Sequence, residues 1–109
     1  MPIRTEGEAT AIGDDNFSLH EPGTYTLYQN YPNPFNPETI ISWQLSVGSQ
    51  VELNVYNVLG KKVATLISKH MNPGKYSYRF DGRHLANGIY YYHISAGGFE
   101  RVKKMILLR

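Results

Sequence analysis

From Thr39 onward the hydrophobic positions of the chain recur every second residue, the period of a half-buried strand and not of a helix. Ile41, Trp43 and Leu45 alternate with Ile40, Ser42 and Gln44, which points the Trp43 indole inward. Val51, Leu53 and Val55 repeat the pattern against Glu52, Asn54 and Tyr56, after a turn around Val47-Gly48-Ser49. So short a connection predicts that these two strands pair as a hairpin. Asn57-Val58-Leu59-Gly60-Lys61 has the length and late glycine of a longer hairpin loop, leading into Lys62-Val63-Ala64-Thr65-Leu66. Asn72-Pro73-Gly74 signals another turn, and Tyr76, Tyr78 and Phe80 then alternate with Lys75, Ser77 and Arg79 until Asp81-Gly82 ends the strand. Asn87-Gly88 opens a strand over Ile89–Ala96, with Tyr90, Tyr92 and Ile94 on one face and Ile89, Tyr91 and His93 on the other, so both faces are partly covered. Gly97-Gly98 makes a tight connection to Phe99–Leu108, whose register stays open because Met105 and Leu107 compete with Ile106 and Leu108 for the core face.

No helical period of useful length occurs, and six or seven short strands at this spacing predict an all-β fold: an antiparallel β-sandwich of immunoglobulin or fibronectin III kind, of about seven strands. Residues 1–22, rich in Glu, Asp, Gly, Ala and Thr without a hydrophobic period, read as a flexible linker, leaving residues 23–109 as the domain. Between them Tyr28-Gln29-Asn30-Tyr31-Pro32-Asn33-Pro34-Phe35-Asn36-Pro37 is excluded from helix by its prolines, which fix φ and remove amide donors. It is expected to lie extended against the body, with Tyr31 and Phe35 as apolar anchors.

Composition narrows this further. With 109 residues and no cysteine, the chain holds one domain that must stand by packing alone, without a disulfide or a thiolate metal site. Nine of its aromatic residues are tyrosines, large rings with a polar tip suited to sheet edges. The formal net charge of +2 hides six acids against one base in residues 1–38 and three acids against ten bases in residues 39–109. Positive charge therefore gathers toward the tail, where Lys103, Lys104 and Arg109 can meet an anionic partner or simply face water. No apolar run reaches the roughly 20 residues of a membrane span, and Met1-Pro2-Ile3-Arg4 does not lead into the apolar stretch of a secretory signal peptide. The chain thus reads as the end of a longer precursor, finishing at Arg109.

Candidate chemistry is sparse. Gly60-Lys61-Lys62 lacks the upstream glycine, the hydroxyl residue and the helix of a phosphate-binding loop. His20, His70, His84 and His93 are scattered, Asp14 and Asp15 fall in the linker, and neither Ser46 nor Ser49 sits in a nucleophile motif. No cofactor is expected. Asn36-Pro37-Glu38-Thr39 with Asp81 supplies hard oxygens of the kind calcium takes, although turn roles account for the same residues. Trp43 and Tyr91 are candidates for stacking on a sugar ring, the alternative being core packing. The modest net charge argues against nucleic acid.

Asn30-Tyr31-Pro32-Asn33-Pro34-Phe35-Asn36-Pro37-Glu38-Thr39-Ile40-Ile41-Ser42-Trp43-Gln44-Leu45 resembles the opening block of the C-terminal sorting domains of the type IX (Por) secretion system of Bacteroidetes. Val55–Val63, Pro73-Gly74-Lys75-Tyr76, Leu85–Tyr92 and Lys103–Arg109 resemble the later blocks of that family, in order and at family-like spacing. The resemblance implies a non-enzymatic export signal at the end of a secreted enzyme or adhesin. It implies as partners an outer-membrane translocon, a sortase-like peptidase and an upstream cargo domain, with passage through the periplasm to the medium or cell surface. The recognition residues it suggests are Pro73, Gly74, Tyr76, Gly88, Tyr90, Lys103, Lys104, Met105, Leu107 and Arg109. Ser77-Tyr78 stands where well-known members carry valines, a departure that bears on the fate after export. The rival expectation is a carbohydrate-binding or structural sandwich module of a secreted enzyme.

Overall fold

The computed structural model describes residues 25–109, so the linker expected over residues 1–22 and the boundary at 23 lie outside the described residues. Seven strands follow in order: β1 Tyr25–Leu27, β2 Glu38–Leu45, β3 Ser49–Tyr56, β4 Lys62–Met71, β5 Gly74–Asp81, β6 Gly88–Ala96 and β7 Phe99–Leu107. They make two antiparallel sheets, β1-β2-β5 and β4-β3-β6-β7, with no helix among the described residues. The predicted sandwich is the observed architecture.

The alternation read from the sequence sets the inner faces. Ile41, Trp43 and Leu45 of β2 meet Val51, Leu53 and Val55 of β3 and Tyr90, Tyr92 and Ile94 of β6 in one core. Each such side chain taken fully out of water contributes about 1.5–3 kcal/mol. Trp43 is covered by Tyr76, which stacks on it at 5.9 Å, and Tyr25 closes the neighbouring edge on Phe99 at 5.1 Å. Pairing of Tyr90 with Met105 and of Gly88 with Leu107 fixes the β7 register. Met105 and Leu107 are fully buried, while Ile106 is half-buried and Leu108 exposed.

Two expectations fail. β2 and β3 do not form a hairpin: β2 pairs with β1 and β5, β3 with β4 and β6, and residues 46–48 carry the chain from one sheet to the other. Tyr31 is no anchor, being 80% exposed. Its backbone pairs with Ile40, accepting and donating at 2.9 and 3.1 Å, on the solvent face of β2. Phe35, at 1% exposure, does anchor the segment, and meets Phe80 edge-on. β4 also runs five residues past Leu66 and carries two register shifts against β3, irregularities that discourage pairing along its free edge.

The register divides the connections between two ends of the sandwich. Residues 46–48, 72–73 and 97–98 share one, here called the turn end. The proline-rich segment, the β3–β4 loop, the 82–87 loop and Arg109 share the other, the tail end.

Candidate functional site

Three prolines at 32, 34 and 37 take three amide donors from the segment before β2, and the side-chain amide of Asn30 supplies donors in their place. Asn30 is buried, and its Nδ2 donates to Thr39 Oγ1 at 2.9 Å and to the Pro32 carbonyl at 3.2 Å. Thr39 Oγ1 donates to the same carbonyl at 2.8 Å. Tyr92 reaches this network from β6: its hydroxyl accepts from the Asn30 amide at 2.7 Å and donates to the Tyr28 carbonyl at 2.8 Å. Burial pushes the Tyr92 phenol up to about 12, so the hydroxyl stays a donor over the physiological range.

The strap so fixed lies along the outer edge of the terminal strand. Gln29 Nε2 donates to the Lys104 carbonyl at 2.8 Å. Asn33 Oδ1 accepts from the Ile106 amide at 3.0 Å, and the Phe35 amide donates to the Ile106 carbonyl at 2.8 Å. The Leu108 amide donates to the Phe35 carbonyl at 3.0 Å. Over Lys104–Leu108 the edge of β7 is therefore already paired. Arg109 closes the end: its guanidinium donates to the Gly82 carbonyl at 2.9 Å and the Leu85 carbonyl at 2.7 Å, and its amide donates to Asn87 Oδ1 at 3.1 Å. Gly82 packs closely here: a Cβ would stand 3.2 Å from the Phe35 ring and 3.3 Å from Leu107, so those side chains would have to give by a few tenths of an ångström to admit it.

The ten residues singled out from the sequence fall into separate groups. Gly88, Tyr90, Lys104, Met105, Leu107 and Arg109 gather toward the tail end. Gly88 opens β6 with φ +149, and buried Tyr90 donates its hydroxyl to the Ala86 carbonyl at 2.7 Å. Lys104 is exposed, opposite Tyr91. Lys103 is half-buried and pairs with Tyr92. Pro73, Gly74 and Tyr76 lie at the turn end, where the Tyr76 hydroxyl donates to the Asn72 carbonyl at 2.6 Å and braces its own turn. Asn30, Asn33, Asn87 and Tyr92 were not singled out. For Asn30 and Asn33 the signal in the sequence is asparagine at 30, 33 and 36, every third residue among prolines.

The other candidate chemistries find their residues engaged. Glu38 pairs with Arg79 at 3.0 Å and Asp81 with Arg83 at 2.6 Å. The side-chain hydrogen bond from Arg83, reinforced by its backbone amide, holds the Asp81 carboxyl below the usual range. Among the described residues no group of three or more His, Asp or Glu side chains could hold a metal ion. Trp43, at 1% exposure under Tyr76, offers no face to a sugar.

Residues 29–108 match the family model of the secretion system C-terminal sorting domain, a span that begins at the first strap residue bonded to β7 and ends at the last tail residue bonded to the strap. No curated protein matches the chain. With most of its length covered, including every contact between the strap and β7, the chain belongs to the C-terminal sorting domains of the type IX secretion system, non-catalytic signals for export to the cell surface or the medium.

Proposed function

We propose that the outer-membrane translocon reads this domain as a folded object, and that it carries an upstream cargo domain from the periplasm to the surface, where a sortase-like peptidase acts on it. The pairing of the strap with β7 supports this reading. Met105 and Leu107 are fully buried and the β7 edge beside them is occupied, so the tail presents itself only as part of the closed end. On this reading Gly88, Tyr90, Met105, Leu107 and Arg109 act by building that end, and Lys103 and Lys104 orient the partner through charge. Exposed Pro73, with Gly74 and Tyr76, belongs to a second contact at the turn end.

The test is export of a periplasmic reporter carrying the 109-residue chain at its C-terminus, in a host with this secretion route. Two variants are compared with it: one ending at Gly98, and one with Asn33→Ala and Phe35→Ala but an intact tail. Both should lose export. Wild-type export from the strap variant would overturn recognition of a folded object, and wild-type export from the truncated chain would remove the tail from the signal.

A further inference from the structure

The β3–β4 loop, which the export reading does not use, carries an exposed aliphatic pair at the tail end. Leu59 is 87% and Val58 64% exposed. Their exposure is not slackness of the loop. Asn57 Oδ1 accepts from the Leu59 amide at 2.9 Å and the Lys61 amide at 3.0 Å. The Asn57 amide donates to the Lys61 carbonyl at 2.9 Å, and the Gly60 amide to the Asn57 carbonyl at 3.0 Å. The loop satisfies its own polar groups and holds two aliphatic side chains out in water, an arrangement that costs solvation free energy until something covers them.

What surrounds the pair indicates the cover. Lys61 and Lys62 are exposed directly behind it. In the next row across the outer face of the four-stranded sheet, Lys62 stands opposite Tyr56, Tyr56 opposite Tyr91, and Tyr91 opposite Lys104. Neither the loop nor this row contains a carboxylate; the nearest on the same face of β3, Glu52, is bonded to Ser68. Residues 25–109 together hold ten bases and four acids. Aliphatic residues outermost, then ammonium groups and half-buried tyrosines, is the order in which a bilayer presents hydrocarbon, headgroup phosphates and interface. The tip is exposed from Val58 to Lys61, and its one side-chain acceptor is turned back onto its own backbone. It therefore suits a fluid partner that asks for no directional hydrogen bond better than it suits a shaped protein pocket. Among the described residues nothing comparable stands at the turn end: Val47 is 45% exposed, and the connecting residues there include no lysine or arginine.

We infer that the β3–β4 tip is a membrane-docking element, with Val58 and Leu59 entering between the headgroups of an anionic bilayer while Lys61, Lys62 and Lys104 meet the phosphates. The proposal stands on the fold alone and is independent of how export recognition works.

Co-sedimentation of the 109-residue chain with vesicles tests it without any export assay. Vesicles of phosphatidylglycerol with phosphatidylethanolamine should bind the chain, more weakly as salt rises, and phosphatidylcholine vesicles should bind it less. Leu59→Asp should lose at least about tenfold in partition, the scale of one leucine side chain withheld from hydrocarbon. Lys61→Ala with Lys62→Ala should lose the preference for anionic vesicles. Val47→Asp, at the other end, should bind as the wild type, and thermal unfolding checks that each variant is folded. Absence of vesicle binding, or equal binding by folded Leu59→Asp, overturns the proposal. So does abolition of binding by soluble glycerol phosphate, which would mark a free-phosphate site. Self-association lost with Leu59→Asp would put a second copy of the chain on the tip, and likewise overturn it.

Discussion

At the turn end of the sandwich, three connections of two or three residues join strands that follow one another in the chain, and the side chain that braces one of them, Tyr76, reaches back only to Asn72. At the tail end the bonds that matter join distant parts: Gln29 to Lys104 across 75 residues, Asn33 to Ile106 across 73 and Asn30 to Tyr92 across 62. A turn made of neighbouring residues closes on a small loop, whereas these contacts form only after most of the chain has been brought together. Tyr25 on Phe99 is a distant contact at the turn end as well, but the hydrogen-bonded joint that needs both ends of the domain lies at the tail end.

Leu107→Ala is the largest test of that contrast. Leu107 is fully buried against Phe35 and the 82–87 loop, so the truncation should cost about 2–5 kcal/mol, whereas Val47→Ala at the turn end should stay within about 0.5 kcal/mol. Urea unfolding measures both, and equal costs would erase the distinction between the ends.

Tyr92→Phe comes next. It removes the hydroxyl that joins the Asn30 amide to the Tyr28 carbonyl and leaves buried groups unpaired, at about 1–3 kcal/mol. This loss carries a pH signature. The folded phenol is pushed up to about 12, above the value of about 10 for an unfolded tyrosine. Its contribution is therefore complete below about pH 10 and disappears as pH rises through the folded value. The stability difference between wild type and Tyr92→Phe should be flat below that window and shrink across it. A difference that stays constant to high pH would remove Tyr92 from the joint.

The smallest effect sharpens the comparison at single side chains. Arg109→Ala removes two hydrogen bonds to loop carbonyls and should cost about 0.5–1.5 kcal/mol. Amide exchange should then quicken in residues 82–87 but not in the turns at 72–73 and 97–98. Pro73→Ala should be nearly neutral, within about 0.5 kcal/mol. Arg109→Ala without change in the 82–87 amides would show that the loop holds itself.

How much of this was legible follows the same division. β2, β5 and β6 could be read because each buries one face, so that Ile41-Trp43-Leu45 and Tyr90-Tyr92-Ile94 carry the period in their own residues. The destination of β3 could not: a three-residue corner at 46–48 serves a hairpin or a step between sheets equally well, and the choice is made by β5 and β6, far along the chain. The register of β7 was open because aliphatic residues occupy both of its faces, and the tyrosines of β6 decided it. Tyr31 misled because hydrophobicity alone does not show which side of a strap faces the core, whereas its backbone pairing with Ile40 does. The blocks that mark the family were readable as motifs, but the joint they make was not, since its contacts couple Gln29, Asn30 and Asn33 to groups of β6 and β7 more than 60 residues away.

The strap–tail pairing bears finally on the order in which the protein is made. A ribosome delivers residues 29–37 about seventy residues before residues 104–109, so the strap waits for partners that have not yet been synthesised. A message read short of that point yields a chain in which Asn33 and Phe35 face an empty edge, and the closed end never forms. Any machine that selects for the closed end thereby selects for chains in which residues 104–108 have already been made and docked against the strap.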